Sequence, residues 1–455
     1  MKNKLFWIIF SIAILIRLLA LNISLNDYLD WDEINSVKWN LECNNSLELI
    51  KWISNNDPHP PLFHLIMRFF MNIFGKTDIT YKLVLFLFSI LNCFLSYLLA
   101  KRLGFNRFYS LGFMLLFSLS PYEVFDVKRV YNSFLFFSML NIILFYDFLN
   151  GKRKILYIIS SVILFYYHFF AIFLVLPQII IVFYRHREKL IYSLISVFIF
   201  LPYLFLAKTS PLYFFLKKDS HSNISWINPY GLGFFREMFH KYTGEVFYLD
   251  ESILLIEFLI IVLIGIFSIK IIAKDLKQKN EIVSVYFISF LLLFGIGFIY
   301  QILFKQGIIE WNHISYLFPL FIFCIIKIYD KKWFYLIIVF LFTFSLIIQF
   351  KDYEYSEIKD LKRIIKEETP QNIYFFPQYY LNNIPYYLKN CKARIYFLKE
   401  NTGFYPKENS ILLLRNLGDN SNENIKTIEF HNYMDENFNV KTFKVNKKFV
   451  IYIFD

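Results

Sequence analysis

Residues 155–184 read ILYIISSVILFYYHFFAIFLVLPQIIIVFY. The run is apolar except where Ser160, Ser161, His168, Pro177 and Gln178 interrupt its aliphatic and aromatic residues. A helix crosses the hydrocarbon core of a bilayer with about 20 residues, so the run holds either one long tilted helix or two short ones. That choice sets the side of the membrane on which every later segment lies. The flanks decide it. Lys152, Arg153 and Lys154 precede the run, and Arg185, Arg187 and Lys189 follow it. With a cytoplasmic N-terminus and two helices, these clusters share one side with Lys101/Arg102/Arg107, Lys274/Lys277/Lys279 and Lys331/Lys332. Short basic loops on one side are the positive-inside pattern; a single helix would send the later clusters across. The two-helix reading gives roughly eleven spans and an extracytoplasmic C-terminus. The spans fall near 5–23, 82–100, 108–121, 130–149, 155–170, 171–184, 190–206, 252–272, 282–304, 314–329 and 333–349.

Composition agrees. Of 455 residues, 57% are hydrophobic and 18% charged, with a mean hydropathy of +0.45. A soluble domain is about 25% charged, so the chain reads as a multi-pass membrane protein, expected in the cell (inner) membrane. The net charge of +12 is accounted for by inside loops. No basic stretch interleaved with base-stacking aromatics lies outside the spans, which excludes a nucleic-acid partner. The four cysteines are too few for a disulfide framework. Cys93 and Cys324 fall inside spans, whereas Cys43 and Cys391 fall outside the cytoplasm, where a bridge between them is an option. The first run, Leu5–Ile23, carries Arg17, lacks a small-residue cleavage site and is long for a signal peptide, so it reads as an uncleaved span.

Three segments are then extracytoplasmic: 24–81, 207–251 and 351–455. The first contains Pro61–Phe70, with Pro at a helix start and an amphipathic pattern suited to the membrane interface. The third is more polar. It reads as a small α/β domain of about 100 residues, a size that folds by itself. Its expected elements are an amphipathic helix over Ser356–Glu368, short strands at Asn372–Phe376, Arg394–Leu398 and Ile411–Leu414, and a hairpin over Phe443–Phe454 around Asn446–Lys448. Residues 1–350 form the transmembrane domain. No internal repeat of the transporter kind is visible.

The residues suited to chemistry lie on the outer side. Asp30-Trp31-Asp32-Glu33 follows the first span, where a partly desolvated carboxylate can be tuned as a general base. Asp57-Pro58-His59-Pro60-Pro61 holds His59 in a stiff extended segment. Asp57 and His59 can meet a phosphate, a divalent metal or each other. Lys128-Arg129-Val130-Tyr131 opens the fourth span with cations at the depth of a lipid phosphate. Tyr166-Tyr167-His168 closes the fifth. Gly75-Lys76-Thr77 is not a P-loop, because Phe70 stands where the first glycine belongs.

In this order the pieces resemble the GT-C membrane glycosyltransferases, in particular bacterial and archaeal relatives of protein O-mannosyltransferases and lipid A aminoarabinose transferases. The matching residues are Asp32-Glu33, Asp57–Pro61, Arg129-Val130-Tyr131, Tyr166-Tyr167-His168 and Tyr316-Leu317-Phe318-Pro319. Ser315 stands where the family commonly has Arg; His313 and Lys305 are the nearby replacements. The resemblance implies transfer of a sugar from a polyprenyl-phosphate donor to an acceptor hydroxyl on a lipid, glycan or protein. Asp32 would be the general base and Glu33 its aid. Asp57, His59, Lys128, Arg129, Tyr131, His168 and Tyr316 would bind substrate. A divalent metal near Asp57 and His59 is the one cofactor implied, and related enzymes do not all need it. The alternatives are a polysaccharide polymerase or ligase, whose late outside loop should be longer than 305–313, and a transporter, which should carry its charges near the midplane.

Overall fold

The structure is a computed structural model. It describes residues 4–25, 31–57, 59–125, 129–208, 254–304, 311–328 and 339–347, and strands between 372 and 454. The chain divides into two compact units, Met1–Leu21 with Trp39–Asp352, and Asn22–Lys38 with Tyr353–Asp455.

The first unit is helical. Its helices are α1 (Lys4–Ser24), α2 (Trp31–Glu42, beginning in the second unit), α3 (Ser46–Asn56), α4 (Leu62–Phe74), α5 (Asp78–Arg102), α6 (Arg107–Leu119), α7 (Pro121–Phe125), α8 (Arg129–Leu149), α9 (Lys154–Tyr167), α10 (Ile172–Arg185), α11 (Leu190–Leu206), α12 (Leu254–Lys277), α13 (Glu281–Phe304) and α14 (Phe318–Ile328). Among the described residues, the segments long and apolar enough to cross a membrane are Lys4–Asn22, Asp78–Arg102, Val130–Leu149, Arg187–Leu206 and Glu281–Leu303. Shorter apolar helices, including Arg107–Leu119 and Lys154–Tyr167, stand beside them. The chain is thus a multi-pass helical membrane protein.

The 155–184 run is two helices. It breaks at His168, whose backbone is extended (φ −155°, ψ 135°), and resumes through a 3-10 turn at Phe169–Ala171. The direction of each helix follows from its contacts. At the start of α9, the Lys154 ammonium lies 3.8 Å from the Tyr192 ring at the start of α11. At its end, Phe165 stacks on Phe200 at 4.9 Å and the Tyr166 hydroxyl donates to Ile199 O at 3.1 Å. Helices α9 and α11 therefore run parallel, and α10, which joins the end of one to the start of the other, runs the opposite way. The polar residues in the run now have partners. Gln178 donates to Asn141 Oδ1 at 2.7 Å, and Asn141 donates to Ser160 and Ser161 at 3.0 and 2.9 Å. One asparagine on α8 thus ties α9 and α10 to it, each bond being worth about 0.6 kcal/mol in a membrane bundle.

The basic corners meet at the other end. Asp147 pairs with Arg102 at 3.0 Å and Arg153 at 2.9 Å. Lys189 donates to Leu149 O at 2.6 Å, and Arg185 lies 3.7 Å from Glu281. The turns α5–α6, α8–α9, α10–α11 and α12–α13 are stitched together there, opposite the end of α8 and α9 that carries Tyr131 and His168.

The first loop is folded rather than open. Asn45 caps α3 by accepting from Glu48 N, while Glu48 accepts from Asn44 N. Trp39 and Trp52 pack at 4.5 Å over a cluster of Cys43, Leu49 and Ile53. Cys43 is a buried free thiol, and Cys391 lies outside the described residues. Helix α4 buries Phe63, His64, Met67, Arg68 and Met71 and leaves Phe69, Ile73 and Phe74 exposed. Gly75 follows at φ 100°, a backbone that glycine alone adopts without strain, and Thr77 caps α5. The apparent P-loop ending is this helix junction.

The second unit contains a five-stranded sheet in the order β2-β1-β3-β5-β4: β1 Asn372–Phe376, β2 Arg394–Phe397, β3 Ser410–Arg415, β4 Lys441–Val445 and β5 Phe449–Phe454. Strands β1, β2 and β3 are parallel, and β4–β5 is the antiparallel hairpin about 446–448. The amphipathic helix expected over 356–368 lies outside the described residues.

A labelling experiment tests the helix directions. In a Cys391→Ser background, Lys208→Cys at the end of α11 should react with an impermeant maleimide on intact cells. Lys152→Cys at the opposite end should react only after permeabilisation. Labelling of both on intact cells would contradict the opposed sense of α9 and α10.

Candidate active site

The site is assembled where α8 begins and α9 ends. Asp57 follows α3 and is wholly buried. Its Oδ1 accepts from the His59 backbone N at 2.8 Å and pairs with His59 Nδ1 at 2.7 Å. Residue 59 turns back on residue 57, so that one carboxylate oxygen meets both nitrogens. On the far side, His64 Nε2 lies 3.6 Å from Asp57 Oδ2. Asp57 is thus enclosed between two imidazoles, and its bond to Nδ1 leaves His59 Nε2 as that ring's other polar atom.

The His59 ring lies 5.0 Å from the His168 ring and 6.2 Å from Tyr131. His168 faces Phe134 at 4.9 Å, and its Nδ1 accepts from Phe170 N at 3.1 Å. That bond holds the ring in place and requires Nδ1 to be unprotonated, so the ring is neutral with its proton on Nε2. Tyr131 lies 5.7 Å from His168 and 5.8 Å from His313. His313 comes from the 3-10 turn Trp311–Leu317 before α14 and stacks on Phe170 at 4.4 Å. The residue keeps some surface, but its ring is enclosed by Phe170, Tyr131 and His168. Burial, and secondly His59, hold its imidazole down at about 3.

The structure therefore brings together His59, Tyr131, His168 and, through Phe134 at 5.9 Å, the buried Tyr316. Ser315 is buried, and His313 reaches the cluster in its stead. Arg129 is the first residue of α8; Lys128 lies outside the described residues. Asp32 belongs to the backbone of α2, and Glu33 is buried; both are in the second unit. Sequence reading missed His64, Phe134 and Phe170. The i, i+5 spacing of His59 and His64 across a proline helix start was the available signal for the first.

Asp57 and His59, the residues expected near a divalent metal, are two potential ligands and not a full donor set. They are engaged with each other, and His168 keeps its Nε2 proton. Among the described residues no group of three or more His, Cys, Asp or Glu is placed to hold an ion.

The geometry defines a class: a multi-pass helical protein with a histidine- and tyrosine-lined site at the end opposite its basic corners. No protein family and no curated protein sequence matches the chain. Its fold is that of ArnT from Cupriavidus metallidurans. ArnT in the apo state aligns with a TM-score of 0.59 at 10% identity, over 99% of this chain and 98% of that one. ArnT bound to undecaprenyl phosphate aligns with a TM-score of 0.57 at 9% identity, with the same coverage.

The enclosed imidazole gives a pH test. A histidine held neutral in the folded chain takes up its proton on unfolding, so stability falls as pH drops below about 6.5. The thermal midpoint of the wild type should fall between about pH 7.5 and 5.5, and His313→Phe should flatten that fall. An equal slope in both would remove His313 as its source.

Proposed function

We propose that the chain is a membrane glycosyltransferase that moves a sugar from a polyprenyl-phosphate donor to an acceptor hydroxyl at the extracytoplasmic face. The observation that carries this reading is the convergence of His59, Tyr131 and His168 at one end of the ArnT fold. The motif order Asp32-Glu33, Asp57–Pro61, Arg129–Tyr131 and Tyr166–His168 adds to it, as does the undecaprenyl phosphate held by ArnT. With basic corners inside, this end faces outward, with roughly eleven spans beneath it and the sheet-bearing tail as an outside domain.

In this scheme the acceptor oxygen attacks the anomeric carbon. The bond from that carbon to the phosphate oxygen breaks, and the phosphate leaves with the electron pair. Asp32 takes the acceptor's proton, with Glu33 assisting. The departing phosphate needs positive charge and hydrogen-bond donors more than it needs an acid. Arg129 and Lys128 supply the charge, and His168 Nε2–H and the Tyr131 hydroxyl are neutral donors. Asp57 holds the His59 ring, as a carboxylate does for a working imidazole. No step passes through a metal.

Transfer from a panel of polyprenyl-phosphate sugars in proteoliposomes tests the reaction. Asp32→Asn should abolish turnover while the protein still inserts and binds donor lipid; near-normal turnover would sink the assignment. Arg129→Ala should weaken donor binding roughly tenfold or more, as loss of a charge-assisted contact does. An unchanged donor affinity would move the phosphate site elsewhere.

A further inference from the structure

Beneath the corner between α7 and α8 lies a polar network that the proposed chemistry does not use. Arg17 on α1 is wholly buried. Its Nε donates to Ser89 Oγ at 3.0 Å and Ser89 O at 3.3 Å, and its Nη1 to Ser118 O at 2.9 Å and Ala13 O at 3.4 Å. Ser118 lies in the last turn of α6, whose continuation stops at Ser120-Pro121. The guanidinium thus satisfies a carbonyl stranded at the negative end of a helix. Ser89 Oγ in turn donates to Glu123 O at 2.6 Å. Glu123, wholly buried on α7, accepts on Oε2 from Asn92 Nδ2 at 3.2 Å and Asn132 Nδ2 at 3.4 Å. Asn92 Nδ2 also reaches Asn132 O at 3.1 Å and Asn132 Oδ1 at 3.2 Å. Asn132 follows Tyr131 and stands one turn after Arg129.

Charge is a costly way to hold helices together in an apolar interior. Between α8, α9 and α10 that task falls to neutral groups, Asn141, Ser160, Ser161 and Gln178. The carboxylate at 123 is spent on one location, the first turn of α8, and the guanidinium at 17 fixes the backbone from which that carboxylate projects. We propose that Glu123 is a positioning residue for the phosphate end of the donor lipid. It holds Arg129 and Tyr131 in place through Asn132, and Arg17 holds Glu123 through Ser89. This rests on the assignment of Arg129 as the donor-phosphate contact.

The test uses the full chain in nanodiscs, with undecaprenyl monophosphate as the probe. Asn132→Ala cuts the link to α8 and leaves the Arg17–Ser89–Glu123 part intact; Glu123→Ala removes the anchor. Both should bind the probe roughly tenfold more weakly, the size expected for loss of a bond to a buried charge. Both should raise the donor KM and leave the acceptor KM unchanged. Glu123→Gln, which keeps an acceptor oxygen in place, should recover most of the affinity. Hydrogen exchange over residues 129–134 should rise in the two Ala variants and stay near wild type in Glu123→Gln. Should Glu123→Ala fail to fold, Asn132→Ala decides. The proposal is overturned if folded Asn132→Ala binds the probe as wild type does while Arg129→Ala does not. It is also overturned if donor and acceptor KM rise together with a fall in melting point, the mark of a merely structural role. If the wild type does not bind the probe at all, the Arg129 assignment fails first and this proposal falls with it.

Discussion

A helix inside a bilayer cannot simply stop, because its last carbonyls and the next helix's first amides have no water to meet. The chain reverses at His168 by using a side chain for that task. The imidazole accepts from Phe170 N while the backbone turns through three residues of 3-10 helix. The hydrogen bond that ends α9 also places the ring against His59, Tyr131 and Phe134. Topology and site share one residue, so the direction of every later helix and the make-up of the site follow from the same local event.

The enclosed carboxylate depends on a second local constraint. Pro58, Pro60 and Pro61 deprive the chain of amides around His59, and residue 59 folds its own amide and ring back onto Asp57. With His64 beyond, the carboxylate has an imidazole on each side.

Much of this was readable in the residues. The periodic charge clusters disclosed the reversal, because loop charge is selected by membrane side and survives any drift in apolar identity. The motifs at the helix ends pointed to His59, Tyr131 and His168, which lie together in the structure, because proline punctuation and span ends mark them. The remainder depends on contacts between distant segments. His313 stands two residues before Ser315, yet only packing against Phe170 brings it to the site. Glu123 looks like any loop acid until Asn92 and Asn132 are seen to converge on it. The grouping of Asp32 and Glu33 with the tail has no local signature, since it concerns which compact unit a short helix joins.

Arg17 also bears on how the protein is made. An arginine in the middle of a first span costs about 2.5–3.5 kcal/mol at insertion. Ser89, which takes its Nε, is translated some seventy residues later, and Ser118 about a hundred residues later. Until those partners arrive, α1 is an uneasy occupant of the bilayer, held there by its flanking apolar residues and free to slide so that its guanidinium reaches the interface. The first span is therefore seated only once α5 and α6 have been made, because its buried guanidinium takes its distant partners from them.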